Sequence, residues 1–121
     1  MVFDPHRLKE HIERYITYVR REFNVQKAIL YGSYAYGTPR EGSDIDLLVL
    51  SEDFARMAKV LRHQRLGWLA WQAGTDYIQP IGFTWKEFEQ ASDLSLLGEI
   101  RERGIVVYEA DSPDVASLGR L

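Results

Sequence analysis

Cysteine is absent from this chain, which excludes disulfides and thiolate metal centres and fits a reducing cytoplasm. A basic excess is missing as well. Fifteen Lys and Arg stand against eighteen Asp and Glu, a net charge of −3, which argues against a dedicated nucleic-acid binder. No apolar run approaches the roughly 18 residues of a membrane helix, and the N-terminus MVFDPHRLKE lacks a signal-peptide pattern. Internal repeats and low-complexity stretches are lacking too. What is left, in 121 residues of ordinary composition, is a cytoplasmic, soluble chain of one domain. The expected division is a domain over 1–110 and a loosely held tail over 111–121.

Patterning assigns the elements. Asp4 is placed to cap and Pro5 to open a helix. Its apolar stripe is Leu8, Ile12, Tyr15, Ile16, Val19 and Phe23. VQKAILYG reads as a strand, SYAY as a brief helical turn at most, and GTPREG as a loop because of its glycines and proline. DIDLLVLS is a second strand. Glu52 to Gln72 reads as one helix with Phe54, Ala58, Leu61 and Trp68 on its inner side. TDYIQPIGFT is a third strand, which Pro80 pushes towards a sheet edge or a bulge. Thr84 to Glu87, TWKE, spells a capping box. LSLLGEIRERG is a helix stopped by Gly104, and IVVYEA a last strand. The fold class is therefore α/β, a small mixed β-sheet flanked by helices.

Two aspartates interrupt the most apolar of these strands, in LYGSYAYGTPREGSDIDLLVL, residues 30–50. Residues i and i+2 of a strand share a face about 6.6 Å apart, so Asp44 and Asp46 project together. Paired carboxylates repel unless a cation neutralises them, and a hard divalent ion such as Mg²⁺ shares oxygen ligands with substrate phosphates. Gly32 and Ser33 lie where a strand turns into a helix. Glycine lets the backbone approach a phosphate closely, and the serine hydroxyl adds a donor. Carboxylates and a glycine turn together describe a site for a metal-bound nucleoside triphosphate.

The combination Gly32-Ser33, ten residues, then Asp44-x-Asp46 in SDIDLLV resembles the signature of the DNA polymerase β-type nucleotidyltransferase superfamily. The likeness runs from about Val25 to Val107, and the ending IRERGIVVYE is similar to that of its minimal branch, the MNT domains. The resemblance implies a polymerase β-type nucleotidyltransferase fold, ATP as substrate and Mg²⁺ as cofactor, two ions being expected. It implies a third carboxylate on a later strand, for which Asp76 is the candidate beside Asp44 and Asp46 as metal ligand and catalytic residue. Without the resemblance, Asp76 reads as a strand-entry residue. Gly32, Ser33, Ser43 and Arg40 are the implied nucleotide-binding residues. Many relatives carry an arginine in the turn after Gly-Ser, where this chain has Tyr34-Ala35-Tyr36. Arg40 either replaces that charge or is a solvated loop residue.

Arg56, Lys59, Arg62 and Arg65 recur every third residue. They read as a solvent face, or as a patch for an acidic partner or a nucleotide tail. Trp68, Leu69 and Trp71 either cover the sheet or meet an oligomer or partner. His6, His11 and His63 lack metal spacing and are given no role. After Val107 no acceptor-binding domain is expected, so the acceptor comes from another chain or binds across a subunit interface. In the minimal branch that other chain is a helical HEPN protein, and the resemblance implies an antitoxin of a toxin–antitoxin pair that moves AMP from ATP to a HEPN tyrosine. The rivals are a homodimeric subunit modifying a small molecule, and a non-catalytic, nucleotide-sensing module that occludes its partner.

Overall fold

The computed structural model describes residues 2–110; the tail expected over 111–121 lies outside the described residues. Helix α1, Pro5–Arg20, starts where its sequence says it should. Asp4 Oδ1 accepts from the Arg7 N–H at 2.9 Å, and Leu8, Ile12, Tyr15, Ile16 and Val19 form the buried stripe. Strand β1, Lys27–Tyr31, and the single helical turn α2, Ser33–Tyr36, follow. Strand β2 is Ile45–Leu50, a 3-10 turn covers Glu52–Arg56, and α3 is Lys59–Gln72. Strand β3 is Ile78–Phe83, α4 is Trp85–Gln90, α5 is Leu96–Arg103 and β4 is Ile105–Glu109.

The four strands make one mixed sheet in the order β3-β2-β1-β4. Strand β1 runs antiparallel to β2 and β4, while β2 and β3 are parallel. A parallel pair needs a crossover, and α3 supplies it. The face carrying Ala28, Leu30, Ile45, Leu47 and Val49 is buried under α1 and α3. The face carrying Ile29, Leu48 and Leu50 packs on Phe88 of α4 and Ile100 of α5. Strand β2 is thus covered on both sides, so it reads as a near-continuous apolar run. Asp46 is its one charged residue.

Pro80 sits in β3, which is an edge strand of the sheet, where a missing N–H costs no ladder bond on the outer side. The capping box is complete: Glu87 N–H donates to Thr84 Oγ1 at 3.1 Å, and Thr84 N–H donates to Glu87 Oε1 at 2.8 Å.

The stretch 52–72 departs from the expectation of one helix. Ser51 Oγ caps the 3-10 turn, Met57 is extended, and α3 begins only at Lys59. The break resets the helical phase. Phe54 remains fully buried, but Leu61 and Trp68 are exposed, and α3 turns Leu66, Leu69 and Ala70 inward.

The every-third-residue cations do not share one solvent face either. Arg62 is only 4% exposed, and its Nη1 lies 2.7 Å from Glu87 Oε1. The same guanidinium donates to the carbonyls of Met57 and Gly82 at 3.0 and 3.3 Å. It ties α3 to the capped start of α4. Arg65 Nε meets Glu22 Oε2 of the segment after α1 at 2.8 Å. Trp68 and Trp71 do not cover the sheet; they stack on each other, centroids 5.0 Å apart, on the outer side of α3.

Candidate active site

The site lies at the end of the sheet where β1 finishes and β2 begins. Antiparallel register sets Tyr31 opposite Asp46, and Gly32 comes next in the chain. Gly32 adopts φ 74° and ψ −157°, a region essentially confined to glycine. That conformation swings the backbone into α2, and it seats Gly32 against the Asp46 carboxylate. A Cβ built on Gly32 would overlap Asp46 Oδ2 and stand 3.2 and 3.3 Å from Asp46 Cγ and Cβ. The glycine turn and the aspartate strand are therefore in contact, as a phosphate cradle and its cation ligands need to be. Gly37, at φ 81°, ends α2 and sends its N–H back to the Ser33 carbonyl.

Asp46 is half-buried, whereas Asp44, one residue before β2, is exposed. Burial first, and Asp44 second, raise the Asp46 carboxyl above its ordinary value. The fold thus holds Asp46 beside another carboxylate, at an electrostatic cost that a divalent cation would remove. This donor set, Asp46 against a backbone that excludes a side chain with Asp44 close enough to act on it, fits a hard cation bound together with a phosphate group. Tyr31, on the same face, has its phenol pushed up to about 12 by burial, then by Asp46 and Tyr36.

The remaining expected residues divide. Ser43 Oγ accepts from the Arg40 N–H at 2.8 Å, and Ser43 N–H donates to the Arg40 carbonyl at 2.9 Å. Ser43 therefore closes the turn leading into Asp44, and Arg40 itself points from an exposed loop. Asp76 is exposed in the turn before β3, and the structure does not gather it with Asp44 and Asp46. Among the described residues no group of three or more acidic or histidine side chains is placed to hold a metal. The position in β3 that pairs with Asp46 is Gln79.

Two residues beside the site, Gln79 and Arg103, escape the sequence. Gln79 shows itself only through register. Arg103, at the end of α5, stacks over the Tyr36 ring with Cζ 3.8 Å from the centroid, and it meets Glu99 at 3.4 Å. A guanidinium thus stands over the turn that lacks an arginine of its own. The Tyr36 hydroxyl is buried and finds no hydrogen-bond partner among the described residues. The tyrosine replacing arginine was the available signal, since an aromatic ring invites a cation from elsewhere.

Comparison with known proteins supports the same reading of the fold. A solved structure of a protein from Sulfolobus solfataricus assigned as a nucleotidyltransferase superimposes with a TM-score of 0.65, at 16% identity over 89% of this chain and 86% of that one. A chain of a toxin–antitoxin complex with AMP-PNP gives 0.57 at 23% identity, covering 93% and 82%. A chain of a mutant MntA–HpeT toxin–antitoxin complex gives 0.55 at 20%, covering 93% and 81%. No functionally curated protein matches significantly. The family model for the nucleotidyltransferase domain matches residues 12–107, which spans both halves of the site, and the chain belongs to the nucleotidyltransferase domain family.

Proposed function

We propose that this chain is a Mg²⁺-dependent nucleotidyltransferase that moves AMP from ATP to a hydroxyl of a partner protein, a tyrosine of a HEPN-type toxin, and so acts as an antitoxin. The observation that carries it is the seating of Gly32 against Asp46, which joins the glycine turn to the carboxylate that Asp44 also acts on. The fold likeness to toxin–antitoxin chains, one of them with AMP-PNP, supports the nucleotide and the kind of partner.

In this reading the Gly32–Ser33 backbone and the Ser33 hydroxyl hold the triphosphate, and Asp44 and Asp46 hold its cation. Arg103 supplies the counter-charge missing from the turn. When bound, the cation neutralises the phosphates and favours charge build-up on the α-phosphoryl group. The acceptor oxygen forms a bond to the α-phosphorus, the bond from that phosphorus to the bridging oxygen breaks, pyrophosphate leaves and the hydroxyl proton is released. Fixing the triphosphate in line with the acceptor is this chain's contribution.

The test is incubation with α-labelled ATP, Mg²⁺ and a helical HEPN-type protein, followed by mass spectrometry. An adenylyl group on a partner tyrosine, lost with Asp46→Asn, is expected. Silencing of the partner without any gain in mass would replace transfer by occlusion, the non-catalytic reading.

A further inference from the structure

Strand β3 brings a glutamine, not an acid, to the place beside Asp46. Parallel pairing sets Ile45 against Ile78, Asp46 against Gln79 and Leu47 against Pro80. Side chains alternate along a strand, and paired residues of neighbouring strands share a face. Gln79 therefore stands on the Asp46 face and is exposed there, while Ile78 and Pro80 are buried on the other.

Asp76 has no such place. It precedes β3 in a turn closed by the Ile78 N–H on the Thr75 carbonyl at 2.9 Å. The next residue, Tyr77, turns its ring to the α1 side, 5.0 Å from Phe3 and 5.1 Å from His11 between centroids, and its hydroxyl bonds His11 Nδ1.

Charge then limits what the site can hold. Two carboxylates and the phosphates of a nucleotide satisfy one divalent ion. A second ion close by is repelled by the first and needs a further anionic ligand between them. The sheet position suited to supply it carries a neutral amide.

Resting on the nucleotide-binding reading above, we propose that this chain binds its nucleotide with one divalent cation, on Asp44 and Asp46, and that Gln79 occupies the third ligand position as a neutral hydrogen-bonding group facing the phosphates. Its amide N–H donates to a phosphate oxygen and provides no base. A proton acceptor for the attacking hydroxyl then has to come from outside this carboxylate pair.

Mn²⁺ is the probe, titrated by electron paramagnetic resonance into the chain saturated with a non-hydrolysable ATP analogue. One bound Mn²⁺ per chain is expected in the native protein and in Asp76→Asn alike. Gln79→Asp, or Gln79→Glu with its longer reach, should bind a second Mn²⁺. Circular dichroism and melting establish that these variants fold, which their exposed position favours. Two Mn²⁺ in the native chain, a loss of Mn²⁺ with Asp76→Asn, or no second ion in either folded Gln79 variant would each overturn the proposal while leaving nucleotide binding intact. Failure of the native chain to bind the analogue at all would overturn both this and the reading on which it rests.

Discussion

Replacing Gly32 by alanine tests the link between cradle and carboxylate directly, because the two costs it incurs can be separated. The first is conformational. At φ 74° and ψ −157° a non-glycine residue loses about 1–3 kcal/mol. With an unfolding entropy of about 2.1 cal/mol/K per residue, that lowers Tm by roughly 4–12 °C for a chain of this length. The second is steric. Carbon contacts settle near 3.5 Å, so the new methyl has to push the Asp46 carboxylate back by an amount on the order of 1 Å. A displacement of that size at a reacting centre costs about 10²-fold in rate. A double-mutant cycle with Asp46→Ala isolates this second part. In the Asp46→Ala background the methyl meets no carboxylate, so Gly32→Ala should destabilise less there, with a coupling of about 0.5–3 kcal/mol. Thermal melts of the four proteins, with ATP affinity measured beside them, provide the numbers. Equal Tm losses for Gly32→Ala in both backgrounds would refute the contact, and with it the argument that cradle and ligands form one site.

Four further outcomes follow from the same geometry. Asp44→Asn and Asp46→Asn should each abolish transfer while apo stability holds or rises, since each removes a repelling charge; melts and labelling on the same samples check it, and retained transfer sinks the cation assignment. The raised Asp46 carboxyl means that the fold favours its protonated form, so the apo protein loses stability as pH climbs from about 3.9, the unfolded value, through the higher folded one. Mg²⁺ cancels that deficit, and its gain in Tm should therefore grow over this window and then level off; a gain independent of pH contradicts the assignment. Arg62→Ala should cost about 3–5 kcal/mol, the usual loss when one partner of a buried ion pair is removed, because burial raises the Glu87 carboxyl and only the hydrogen bonds and charge of Arg62 together with the Thr84 hydrogen bonds bring it below its ordinary value; a Tm change of a degree or two in denaturation scans would show that this bridge is not structural. Arg103→Ala should weaken ATP binding by about 10–100-fold, one charge-assisted hydrogen bond, whereas Arg40→Ala should barely change it; the reverse order in calorimetry would return the phosphate counter-charge to the loop.

What the sequence discloses about this protein is what its short-range physics decides. The stripe of α1, the apolar run of β2, the capping box at Thr84 and the stop at Gly104 are each set within a few residues, and each is legible. So is the presence of a glycine turn and an aspartate pair ten residues apart. Their contact is not, because it depends on the register that places Tyr31 opposite Asp46 across a loop. The misreadings have the same origin. Nothing local marks the break before α3, since its residues, Met57 and Ala58, are neither glycine nor proline. It is held by the Ser51 cap and by Arg62 taking the Met57 carbonyl, and once the phase resets, Leu61 and Trp68 move from the expected core to the surface. Arg62 looked like one more solvated cation because its partner, Glu87, is 25 residues away. The resemblance points to Asp76 as the third carboxylate, yet Asp76 stands in the turn before β3, and successive residues of a strand face opposite ways. Parallel pairing with β2 gives the face of Asp46 to Gln79 instead. An acid near a strand is a local fact. Which residue stands beside Asp46 is a property of the sheet, and so the chemistry available at this site is decided by register more than by composition.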